Sequence, residues 1–60
     1  MVKFEAGEKV EILLAGAWSG PYMVTDATGR TPDHIVLAGP SGRFEHYNDA
    51  PYNTRIAEGN

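Results

Sequence analysis

The chain has no cysteine among its 60 residues, which excludes disulfide staples, thiolate metal sites and thiol catalysis. It also lacks any apolar run approaching the ~18 residues that span a bilayer. Residues 1–8 contain no stretch of signal-peptide length either. The expectation is a soluble, cytoplasmic protein with no membrane partner. Basic side chains are scarce, five against eight acidic ones, for a formal net charge of −3. Lys3, Lys9, Arg30, Arg43 and Arg55 are dispersed among those acids, so nucleic acid is not the expected partner. No segment has the length and 3.6-residue periodicity of a helix.

Seven glycines and four prolines divide the chain at short intervals, leaving runs of strand length. Lys9-Val10-Glu11-Ile12-Leu13-Leu14 alternates, with Val10, Ile12 and Leu14 on one face and Lys9, Glu11 and Leu13 on the other. Leu13 is the odd apolar residue on the polar face. Residues 15–21 read as a loop with Trp18 at its centre, and a second strand runs over 22–27. A polar connection containing Pro32 leads to a third strand at 34–38. Gly39-Pro40-Ser41-Gly42 is the strongest turn signal and predicts a hairpin with a fourth strand at 43–47. Residues 48–54 carry turn and cap residues around Pro51, as a short helical turn would, before a brief closing strand at 55–57. Residues 58–60 read as a frayed tail.

The expected fold is therefore all-β: one domain over residues 1–60, a small antiparallel SH3-like barrel of about five strands with a short helical turn before the last. A barrel hides its sheet edges with few residues. A chain this short buries only ~60% of the surface that it exposes when unfolded, so a homo-oligomer is one way to add buried area.

Phe4-Glu5-Ala6-Gly7-Glu8-Lys9-Val10, the Gly16-Ala17-Trp18-Ser19-Gly20 segment and the terminal Arg55-Ile56 resemble SH3-like barrels of the Tudor, KOW and integrase-tail kind. A narrower resemblance is to the plasmid-borne type II dihydrofolate reductases, carried by Phe4, Gly7, Glu8-Lys9-Val10, Ala17-Trp18, Gly20, Tyr47 and Arg55-Ile56. That resemblance implies a homotetramer around a pore that binds NADPH and dihydrofolate, with Glu45, His46 and Tyr47 as pore residues. The family's pore stretch is Val-Gln-Ile-Tyr, and this chain has Phe44-Glu45-His46-Tyr47 there. Where the family keeps a lysine, this chain has Leu13 or its neighbours Ile12 and Leu14. A pore without that cation and with Glu45 added repels anionic ligands. The overall look is also similar to small barrel proteins of bacteriophages and mobile elements, which implies binding to and modulation of a host enzyme.

Other chemistry is thinly represented. Asp33-His34 and Glu45-His46 place neighbours on opposite faces of a strand, so neither pair chelates a metal alone, and no metal site is expected. Ser19 and Ser41 lie among glycine-flanked turn residues, where they serve conformation, and no catalytic residue is assigned. The aromatic residues are more informative, since they combine large contact area with a polar tip. Phe4, Phe44 and Tyr47 either close the core or face a partner. The reading is a non-catalytic protein-binding module, needing no cofactor, that meets its partner through Trp18, Tyr22, Tyr47 and Tyr52, with Glu45 and Asp49 at the rim. The NADPH-dependent reductase is the alternative.

Overall fold

A computed structural model describes residues 2–57, and the expected tail at 58–60 lies outside them. The strands are β1 (Lys9–Leu14), β2 (Ala17–Asp26), β3 (His34–Gly39), β4 (Gly42–Tyr47) and β5 (Thr54–Ile56). They form one antiparallel sheet in the order β4-β3-β2-β1-β5. Among the described residues no helix is long and apolar enough to cross a membrane.

Strand alternation builds the core. Val10 and Ile12 of β1, Val24 of β2, and Ile35 and Leu37 of β3 share the inner face, and with Phe4 they form the buried cluster. Each such side chain contributes about 1.5–3 kcal/mol by leaving water. Leu13 is on the outer face, as its position in the alternation requires, and is 37% exposed. The sheet coils because β2 is ten residues long and its pairing is broken twice, between Val10 and Ile12 of β1 and between its own Val24 and Asp26. At the first break Gly20 has φ +135°, and a Cβ there would lie 3.0 Å from the Val10 carbonyl oxygen. Only glycine fits that backbone. The resulting extents of 25 × 23 × 22 Å are those of a coiled sheet and not of a flat slab.

Three expectations are corrected. The barrel is not closed, because β4 and β5 are the two sheet edges and share no ladder. β5 has only three residues, and their pairing is with β1. The helical turn at 48–54 is not seen. Instead the Tyr52 N–H donates to the Asp49 carbonyl at 2.8 Å in a single turn containing a cis Ala50–Pro51 bond. The Asn53 side chain accepts from the Asp49 N–H and that of Asn48 from the Ala50 N–H. The backbone bonds of the segment close on the Asp49 carbonyl alone, from the Tyr52 and Asn53 amides, and the chain then passes into β5. Finally, Trp18 is not at the centre of a loop. Ala15 and Gly16, at φ +48° and +82°, make a two-residue hairpin turn of the hand that matches strand twist, so Leu14 already faces Ala17. Trp18 lies on β2, opposite Leu13.

Candidate functional site

The open seam between β4 and β5 is bridged by side chains. His46 lies on the inner face of β4, opposite Ile35. Its Nε2 is 2.8 Å from Oγ1 of Thr54, which is fully buried on β5. The Thr54 hydroxyl donates its one proton to Asn53 Oδ1 at 2.8 Å, so His46 Nε2 carries a proton and donates to Thr54. Asn53 Nδ2 in turn donates to the Tyr47 carbonyl at 2.8 Å. This chain ties the last two residues of β4 to the start of β5. Burial, and then the neighbouring His34, hold the His46 imidazole below its usual 6.5, opposed by a bond to the Asn53 backbone.

A second surface covers the outer side of β2, β1 and β5. The register sets Trp18 beside Leu13 and Glu11 beside Arg55. The Arg55 guanidinium lies over the Trp18 ring, 4.1 Å from its centroid, and donates through Nε to Glu11 Oε1 at 2.8 Å. An exposed ion pair of this kind is worth at most ~1 kcal/mol, and the stacking on Trp18 adds about 0.5–1.

The third surface is the outer side of β3 and β4. Tyr47, half exposed, packs edge-on against His34 at 5.6 Å between ring centroids. Glu45 accepts from the Arg30 N–H through Oε2 at 3.1 Å, which anchors the loop between β2 and β3. Arg30, His34, Val36, Arg43, Phe44 and Glu45 line a shallow groove of about 520 Å³ there.

The residues singled out from the sequence therefore occupy several places. Tyr47 and Glu45 lie on the outer side of β4, while Asp49 and Tyr52 lie in the turn that follows, with Tyr52 75% exposed. Asn53 links these two pairs, since it holds both the Tyr47 carbonyl and the Asp49 amide. Trp18 belongs to the second surface. Tyr22 points to the inner side opposite Val10, meets Phe44 edge-on at 5.3 Å, and bonds Ser19 through its hydroxyl at 3.0 Å. Of the three residues that the reductase resemblance names as pore residues, Glu45 and Tyr47 face outward and His46 faces inward. Thr54 and Asn53 were not singled out, although they complete the seam, and neither was Arg55 as the partner of Trp18. No local pattern marks them, because their roles arise from strands that meet only in three dimensions. Among the described residues no group of three or more His, Asp or Glu side chains is arranged to hold a metal ion. No family model, curated protein or solved structure matches the chain.

Proposed function

We propose that the chain is a non-catalytic protein-binding module on an SH3-like plan, with a protein partner such as a host enzyme that it modulates. The observation that carries this reading is Tyr52, a large aromatic side chain 75% exposed on a turn that is itself pinned. Bonds from the Asp49, Ala50 and Tyr52 amides fix the backbone that presents it. A rigid, exposed aromatic loses little entropy on binding, which is why tyrosine is favoured at recognition surfaces. In this reading Tyr47, half exposed at the end of the strand that leads into the turn, also meets the partner, with Asp49 and Glu45 at the rim.

The test is capture of a partner from host lysate by the wild-type chain and by Tyr52→Ala, with folding checked by circular dichroism. The expected result is loss of the captured partner by a variant that folds normally, since an exposed side chain adds little stability. Capture by the variant equal to wild type removes Tyr52 from the binding surface.

A further inference from the structure

The two edges of the sheet face the same seam, and the hydrogen-bond pattern says which of their backbone groups have no partner among the described residues. The Asn48 N–H donates to the Asp33 carbonyl, which makes 33/48, 35/46, 37/44 and 39/42 the bonded pairs of the β3–β4 ladder. The N–H and C=O groups of Arg43, Glu45 and Tyr47 therefore point away from β3. The Tyr47 carbonyl shows that direction, because it reaches Asn53. On the other edge, the Leu13 N–H donates to Asn53 and the Ala57 N–H to Lys9, so Thr54 and Ile56 turn their backbone groups away from β1. Among the described residues the seam is clasped where His46 meets Thr54 and Asn53 meets Tyr47.

Beyond the clasp the inner face carries exposed apolar side chains. Two residues back along β4 is Phe44, 38% exposed, and two residues on along β5 is Ile56, 46% exposed. Both belong to the inner face, since Phe44 pairs with Leu37 and Ile56 with Val10, each of which is fully buried. Exposed apolar side chains thus stand beside an unpaired strand edge. On the outer side of the same edge is Arg43, which has no carboxylate within ion-pair distance among the described residues.

We propose that the free edge of β4, at Arg43–Glu45, receives an extended segment of the partner protein as an added strand. This rests on the reading of the chain as a protein-binding module. The segment's backbone pairs with the Arg43 and Glu45 amides and carbonyls, as strand addition requires. Its inward positions are apolar, to cover Phe44 and Ile56, and its outward position is acidic, beside Arg43. Apolar-acidic-apolar is the pattern that the edge selects.

The probe is the peptide acetyl-Thr-Val-Glu-Val-Thr-amide, titrated into the isotope-labelled chain and followed by amide shifts and hydrogen exchange. Shifts centred on residues 43–45 and 56, with slowed exchange at Arg43 and Glu45, are expected. Arg43→Pro deletes an N–H that the β3 ladder does not use, and should weaken binding at least about tenfold, whereas Arg43→Lys keeps wild-type affinity. Should Arg43→Pro not fold, the same peptide N-methylated at its three central residues should bind the wild-type chain at least about tenfold more weakly. Equal binding by the methylated peptide, or no shifts at residues 43–45 with roughly 1 mM peptide, overturns the proposal. Lysate capture separates the two readings: a partner lost with Tyr52→Ala but held fully by folded Arg43→Pro keeps the binding function and overturns strand addition. A dimer in light scattering that Arg43→Pro dissolves assigns the edge to a second copy of the chain and also overturns it.

Discussion

Thr54→Val is the most direct probe of how an unclosed sheet holds its seam. Valine keeps the β-branched shape of a fully buried threonine and removes only the hydroxyl. That hydroxyl makes two bonds of 2.8 Å, accepting from His46 and donating to Asn53. A net hydrogen bond is worth about 1 kcal/mol, and a buried donor left unpaired costs about 1–3 kcal/mol. His46 is only partly buried, so water recovers some of its loss, while Asn53 Oδ1 keeps the Asp49 N–H. The expected destabilisation is about 2 kcal/mol. A chain of this size has about 3–9 kcal/mol in all, by the usual 0.05–0.15 kcal/mol per residue, so the change is a large fraction of the total. It corresponds to a drop of roughly 8–16 °C in Tm for a small domain. Urea denaturation of wild type, Thr54→Val, His46→Ala and the double variant gives the coupling between the two side chains, expected at about 1 kcal/mol. A Thr54→Val loss below about 0.5 kcal/mol, or additive single effects, would refute the view that this contact joins the edges.

Two further predictions concern the same framework. Because folding lowers the His46 pKa, the unfolded chain binds its proton more readily. Stability is then fully present above pH 6.5 and falls as the pH drops through 6.5 toward the depressed folded value. Urea melts across that window should show the fall, and His46→Gln should flatten it; an unchanged slope in that variant would assign the pH dependence to another group. At the bend in β2, Gly20→Ala places a Cβ 3.0 Å from the Val10 carbonyl oxygen at φ +135° and should cost about 1–3 kcal/mol in thermal melts. Unchanged Tm there would mean that the register break does not depend on glycine.

Alternation and turn chemistry determined much of this protein from the sequence. Val10 and Ile12 against Lys9 and Glu11 fixed which face of β1 is buried, because successive strand residues point to opposite sides. Gly39-Pro40-Ser41-Gly42 fixed the β3–β4 hairpin, because its residues suit a turn and its neighbours suit strands. Local composition misled at residues 48–54: Asn48 and Asn53 bind the Ala50 and Asp49 amides as capping side chains do at a helix start, yet the backbone makes one turn closed on the Asp49 carbonyl and then enters β5. At residues 15–21 the glycines read as a loop, yet a turn at Ala15–Gly16 and a bend at Gly20 let the chain stay a strand through Trp18. Whether Phe44 and Tyr47 are core or surface was decided by tertiary structure alone. Burial depends on what covers a strand, and β4 lies at the edge of the sheet with no neighbour beyond it. The same holds for Arg55 over Trp18 and for the His46–Thr54 clasp, since coiling of the sheet sets residues far apart in the chain side by side.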